Sequence, residues 1–570
     1  MEHWPRLTAI DGSGRYLVAG VRIDNTRGTA CDANTGAWRR VGDQNIVVSR
    51  FLPDGTLDAS FGSTGSVVVP SSSHTVNLSD LVVSDGAIYA SAFLETGTCG
   101  AMGSSPLPPA SIVVRITDSG ALDGSFGQAG VWSAGRTTDE VHLAPLEGGA
   151  AAAFYDSTFA HLSGARVVET DLSETLCSGT EAIDPDQPAR DCPRGARIAT
   201  HGASVAMTLA WSGRGNRSMR VFFGRVRDGR LVPDYRVSQT GIDVIDVSGL
   251  LGEGRVWPGS NWLGWDSSGR LMSVLTVSED HPTPTTFQPP GSPPGTSETA
   301  LMDMPHGRGL LTARFVPDPE GGWRLDPTYA EAGMSYAPLP MGGPDSFAIG
   351  ALGLDQEDRP VLAGTWWNPG VEYSANFVTR LAADGALDAS YGAAGILWLP
   401  AAMPPIYGEL ALDNRDNQYF AAAWQAFASR AKVAAPYRLG RISSRGRIQL
   451  HDRSRWRDAP QQSRPRTTVS VLDRLPSSGP AGKQVRLRVR VTVDAEPGGK
   501  GPSTKGIEVV LGMIPASGGT KRVILARART KANGVATLTL RLSRSGYYYA
   551  SSSDGRFVGG ASGMSRIDVR

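Results

Sequence analysis

Phe51 to Gly65 reads FLPDGTLDASFGSTG, and the phrase returns as ITDSGALDGSFGQAG at Ile116 to Gly130 and as LAADGALDASYGAAG at Leu381 to Gly395. A looser copy, FVPDPEGGWRLDPTYAEAG, runs from Phe315 to Gly333. Leu57 and Leu122 are 65 residues apart, and Leu325 and Leu387 are 62 apart. A unit of about sixty residues recurs, and a repeat array changes what every other residue means.

Working outward from the phrase, each copy follows an alternating strand: NIVVSRF, SIVVRI, LLTARF and NFVTRL, with RVFFGRV and YRLGRI in units that have lost the phrase. An arginine stands near the end of each of these strands, at Arg50, Arg115, Arg225, Arg314, Arg380 and Arg441. The expectation is that it braces the turn or a neighbouring unit's carboxylate. Upstream lies a hairpin: LTAI-DGSGR-YLVAG, LVV-SDGA-IYASAF, LGW-DSSGR-LMSVL, LGL-DQEDR-PVLAGTW and LAL-DNRDN-QYFAAAW, with degenerate versions around Leu143 and Ile198. Short strands of branched and small residues bounded by Asp, Gly and Ser read as hairpins. Seven units therefore begin near residues 7, 80, 142, 197, 262, 351 and 409. Four short antiparallel strands per unit bury both faces when the units stack radially, so the sequence predicts an all-β chain with a seven-bladed β-propeller over residues 1–455. A long β-solenoid is the alternative.

DGTLDASFGSTG with the preceding DGSGRYLVAG resembles the delta-60 repeat of bacterial, often secreted or surface-exposed, propeller-like proteins. The resemblance implies the fold and carries no shared catalytic residues. After an Arg- and Pro-rich linker at 456–466, the chain alternates again through TVSVL, QVRLRVRVTV, GIEVVLGMI, KRVILARART, GVATLTLRL, GYYYASS and SRIDVR. Seven strands at this spacing predict an immunoglobulin-like β-sandwich over residues 467–570. The stretch KANGVATLTLRLSRSGYYYASSSDGRF resembles the closing half of bacterial immunoglobulin-like domains.

The chain has 570 residues and a net charge of +1. From Pro465 onward there are 18 Lys and Arg against 6 Asp and Glu, which leaves 38 against 49 before it. A basic module of +12 thus follows a repeat region of −11, and it is expected to meet an acidic surface polymer or the acidic repeats of a second molecule. Period two explains Arg486, Arg488 and Arg490 as one strand face, so nucleic acid is not expected. No run of eighteen apolar residues spans a membrane. The start, MEHWPRLTAI, is not a signal peptide, so the protein either stays inside or is exported with its leader absent from this chain. Cysteine usage favours export, to the cell surface, periplasm or outside. Cys31 and Cys99 occupy equivalent places in adjacent units, and Cys177 and Cys192 bracket one loop, so two disulfides are expected.

Nothing in the sequence announces chemistry. GxSxG, HExxH, GxxxxGK[ST] and CxxC are absent, and no cofactor or metal is expected. Asp355 with Asp358, and Asp413 with Asp416, read as Asx turns rather than a calcium site. The longest connections are Asp24 to Gln44 and Ser278 to Arg308, the second too proline-rich for regular structure, and both fall on the same face. Phe93, Tyr155, Trp211, Trp366, Trp367 and Trp424 recur where the second strand meets that face. They either pack between units or form a stacking platform for a glycan or peptide. The expected function is a non-enzymatic, exported binding or scaffold protein. The alternative is a secreted polysaccharide hydrolase or lyase with carboxylates or a histidine in the central channel.

Overall fold

The alternating stretches form strands throughout. The computed structural model describes residues 2–31, 38–70, 75–95, 110–136, 140–164, 166–177, 197–209, 218–234, 242–246, 256–287, 298–330, 332–339, 346–368, 373–392, 395–399, 411–412, 418–422, 438–443, 448–452, 455–458, 467–473, 476, 478–493, 503–515, 523–553 and 565–569. The fold is all-β, with one short helix, Ser173–Cys177, among the described residues.

Seven antiparallel sheets follow one another before residue 460. The first contains Glu2–Ile10, Tyr16–Cys31, Trp38–Phe51 and Ser66–Pro70, in sequence order. The same four-strand plan recurs in the other sheets, and three of them gain a strand: Ile242–Asp246 and Met334–Pro338 also pair with the third strand of sheets four and five, and Arg455–Asp458 pairs with the fourth strand of sheet seven. The first strands form a cycle. Glu2–Ile10 neighbours Thr75–Ser84, followed by His142–Leu146, Ile198–His201, Val256–Trp265, Ser346–Leu354 and Ala411–Leu412, which returns to Glu2–Ile10.

The apolar cores lie between consecutive sheets. Period two in Ala150–Tyr155 shows why: Ala151 and Ala153 join Tyr89 and Phe126 of sheet two, whereas Ala152 and Phe154 join Val205 and Met207 of sheet four. A strand buried on both faces reads as a continuous apolar run rather than an alternation.

Beyond the repeats, Thr467–Val471, Gln484–Val493 and Val535–Arg541 form a three-stranded sheet. Ser478–Gly479, Ser565–Val569, Gly546–Ser553, Glu508–Pro515 and Val523–Arg529 form a five-stranded one. Leu487, Val489 and Leu538 of the first share one core with Val509, Leu511, Tyr548 and Ile567 of the second.

One sequence expectation is corrected. The stretches read as long irregular loops are mostly strand. Pairing of the second and third strands continues out to Cys31↔Trp38 in sheet one and to Phe287↔Glu298 in sheet five. Pro282 and Pro284 sit inside the second ribbon, opposite Asp303 and Leu301. Their two-residue spacing puts both backbone nitrogens on one side of the strand, and the outer side of a two-stranded ribbon needs no donor.

Candidate functional site

The recurring phrase closes each sheet by a fixed set of bonds. Arg50 Nε donates to Asp58 Oδ2 at 2.8 Å, Arg314 to Asp326 at 2.7 Å and Arg380 to Asp388 at 2.8 Å, while Arg115 pairs with Asp123 through Nη1. The other oxygen of each aspartate accepts the backbone N–H and the hydroxyl of Ser60, Ser125, Thr328 or Ser390. The hydrogen bonds from Ser60 and Ser125, helped by Arg50 and Arg115, hold Asp58 and Asp123 below the usual carboxylate range. Burial pushes Asp326 and Asp388 the other way, but the hydroxyl and arginine bonds outweigh it and both end below that range. The arginine also lies over the phrase's aromatic ring, 4.5 Å from the centroid of Phe61, 4.5 Å from Tyr329 and 4.8 Å from Tyr391. Arg50 then reaches the next sheet, donating to Asp118 Oδ1 at 2.9 Å. Bracing of the turn and of a neighbouring carboxylate therefore both occur. Where the phrase has decayed, Arg441 Nε meets Gln449 Oε1 at 2.6 Å, and Arg225 is exposed.

Hairpin turns on the same side are closed similarly. Asp355 Oδ1 accepts the N–H of Glu357 and Arg359, and its Oδ2 takes Arg359 Nε at 2.9 Å, so the Asx turn expected there is present. Asp11 with Arg15 and Asp266 with Arg270 repeat it. Asp413 and Asp416 lie outside the described residues. Among the described residues, no group of three His, Cys, Asp or Glu side chains is placed to hold a metal.

A different cluster, on residues that the sequence does not single out, appears on the first strands. Leu7 pairs with Ala19, Asp80 with Ser91, His142 with Phe154, Trp262 with Val274 and Ala351 with Ala363, each four residues before the residue whose backbone bond closes its hairpin, namely Asp11, Ser84, Leu146, Asp266 and Asp355. Arg197 holds the same place, its carbonyl accepting the N–H of Thr208. The column thus reads Leu, Asp, His, Arg, Trp, Ala through six sheets. Its middle four members touch in series. His142 Nδ1 lies 3.1 Å from Asp80 Oδ2 and 3.3 Å from Arg197 Nη1, Leu143 N–H donates to Asp80 Oδ2 at 3.0 Å, and Arg197 Nη1 lies 3.4 Å from Asp80 Oδ1. Arg197 covers the Trp262 ring at 4.0 Å. Asp80, His142 and Trp262 are buried, and Arg197 is partly exposed. A register shift between Leu78 and Asp80 aims the carboxylate, and Asp80 N–H finds Ser91 Oγ at 3.0 Å. One carboxylate shared among a histidine, an arginine and a backbone N–H is a lock between sheets two, three and four. Among the described residues this cluster holds one carboxylate, Asp80. Aligning the units on their hairpins, rather than on the phrase, is the signal that reveals this column.

The predicted aromatic set divides. Tyr155 is 7% exposed, donates its hydroxyl to Glu169 Oε1 at 2.9 Å and meets Trp132 edge to face at 5.8 Å. Burial, then Glu169, pushes its hydroxyl pKa up, so it is a packed residue. Phe93 is half-buried in Ala87–Glu95. Trp366 and Trp367 lie near the end of Pro360–Asn368, paired with Ala375 and Ser374, and their side chains lie outside the described set. Trp211 and Trp424 lie outside the described residues, as do Cys99, Cys192 and the side chains of Cys31 and Cys177.

Residues 36–61 match the family model described as "Domain of unknown function (DUF5122) beta-propeller", a match that includes the first copy of the phrase up to Phe61. The repeat region is a β-propeller. No curated protein matches the chain. Among solved structures, the GH43 BlXynB protein from Bacillus licheniformis is 11% identical, with 98% of this chain and 88% of that one covered at a TM-score of 0.29. The polysaccharide lyase Uly1 is 11% identical, with 94% and 90% covered at 0.31. An endo-1,5-alpha-L-arabinanase from Thermotoga petrophila RKU-1 is 10% identical, with 95% and 100% covered at 0.25. Likenesses at these scores carry no argument about activity.

Proposed function

We propose that the chain is an exported, non-enzymatic binding or scaffold protein. In this reading the seven sheets are the blades of a seven-bladed propeller over residues 1–455, joined by residues 456–466 to an immunoglobulin-like sandwich at 467–570. The cyclic order of first strands, with Ala411–Leu412 beside Glu2–Ile10, supports the blade count. Two sheets around one core support the sandwich.

The observation that carries the function is a contrast between the two faces. On the short-turn face the recurring Arg, Asp and aromatic residues are tied to one another, so recurrence there reflects structure. On the other face the units differ, and two of them raise long ribbons, ending at Cys31↔Trp38 and Phe287↔Glu298. Variable segments on a rigid scaffold are where ligands are met. The ribbons and the aromatic residues Phe93, Trp211, Trp366, Trp367 and Trp424 are proposed to receive a glycan or protein ligand, and Cys31 with Cys99 and Cys177 with Cys192 to form the disulfides of an exported protein.

Glycan and protein arrays probed with the full chain test this. Replacing residues 281–303 by Asn-Gly, or Trp366→Ala with Trp424→Ala, is expected to abolish a binding signal that Arg225→Gln leaves intact. Release of product from any bound glycan would move the chain to the hydrolase or lyase reading.

A further inference from the structure

We infer that the outer face of the three-stranded sheet is a binding surface for a linear, carboxylate-bearing acidic polysaccharide. Leu487, Val489 and Val491 of Gln484–Val493 point into the core, so Gln484, Arg486, Arg488, Arg490 and Thr492 point out, and all five are exposed. The adjoining strand, Val535–Arg541, sets Thr539 opposite Arg486, Thr537 opposite Arg488 and Arg541 opposite Gln484. Alternate residues on a strand stand about 6.8 Å apart. The face is therefore a straight row of guanidinium groups edged with hydroxyls and widened by Arg541.

Three features select the occupant. Every cation in the row is arginine, whose planar fork pairs with a carboxylate through two parallel N–H bonds, a geometry that lysine lacks. Among the described residues the carboxylate that meets the row is Asp473, whose Oδ1 takes Arg488 Nη2 at 2.6 Å and Nε at 3.0 Å. That pair shows the recognition mode on a small scale. The outward residues of both strands include no aromatic side chain, so these strands offer bases no aromatic platform.

The repeat region of a second copy fits less well despite its excess of acid. Its aspartates at positions 11, 58, 118, 123, 266, 326, 355 and 388 are already paired with arginines of their own chain. These eight carboxylates are therefore already engaged within their own chain. The five-stranded sheet provides an internal contrast. Its exposed Arg527 and Arg529 both lie against Glu508, and no comparable row forms.

The test uses the full chain on immobilised polygalacturonate, with dextran as the neutral control and a single-stranded oligothymidylate as the competing polyanion. Arg486→Gln/Arg490→Gln is compared with Arg527→Gln/Arg529→Gln, which removes the same charge from the other sheet. The expected result is binding to polygalacturonate and not to dextran. The first double variant loses roughly tenfold or more in affinity, and its slope of log K against log salt falls by about two, while the second stays at wild type. Equal losses in both variants, unchanged binding in the first, or no binding by wild type would overturn the assignment. Tighter binding to the oligothymidylate would give the face to nucleic acid, and low-salt dimerisation abolished by the first variant alone would give it to a second copy. This surface is separate from the propeller's connection face, so failure here leaves the function proposed above standing.

Discussion

Asp58 is held by three donors, Arg50 Nε and the N–H and hydroxyl of Ser60, and its partner Arg50 is as buried as it is, with side-chain exposures of 8% for Asp58 and 3% for Arg50. Removing the guanidinium leaves a buried carboxylate beside an aromatic ring, so Arg50→Ala is expected to cost about 3 to 5 kcal/mol in urea unfolding. Asp58, Asp123, Asp326 and Asp388 all have lowered pKa values in the folded protein. The stability they contribute is therefore complete above the unfolded carboxylate range, near pH 4, and is lost as pH falls through their folded values. Urea midpoints measured downward from about pH 5 should drop, and Asp58→Asn should flatten that decline. Glycine in the phrase follows the same logic: Gly62 and Gly392 both sit at φ +60°, where the looser copy has Ala330 at φ 44°. An L residue in that region is strained, so Ala330→Gly is expected to stabilise by about 1 kcal/mol, and a lower urea midpoint would contradict it.

At the scale of elements, the sheet-five ribbon separates into two parts. Among the described residues the first strand supports it as far as Val256↔Glu279, and from Asp280↔Pro305 to Phe287↔Glu298 the second and third strands pair with each other. The outer part adds little to the stability of the sheet, so shortening it to Asn-Gly should leave the melting temperature within about 3 °C. The sequence showed the hairpins and the closing phrase because period two and Asp-Gly turns are local signals. It hid the ribbon because prolines, which argue against a central strand, are harmless on a two-stranded one. The Asp80, His142 and Arg197 lock was hidden for another reason. Asp80 and His142 are 62 residues apart, His142 and Arg197 55, and each alone reads as an ordinary strand residue. Only equivalence of position across units brings them together.

For the whole molecule, the cycle of first strands makes the two ends of the repeat region mutually dependent. Glu2–Ile10 lies against Thr75–Ser84 on one side and against Ala411–Leu412 and Gln418–Ala422 on the other. Its Leu7 and Ala9 belong to the core between sheets one and two. Deleting residues 1–10 therefore opens the ring at its closure and exposes two sheet faces, not one. In an open stack each unit answers only to its neighbours, and losing an end strand would shave a little from one terminus. In a closed ring the loss is felt by the sheets at both ends of the chain. The C-terminal pair of sheets has its own core, built from Leu487, Val509, Leu538, Tyr548 and their neighbours. Calorimetry of the deletion variant should accordingly show the repeat-region transition lowered by about 10 °C or lost, with the transition of residues 467–570 unmoved. A drop of only one or two degrees would mean that the units form an open array, and the blade count proposed above would go with it.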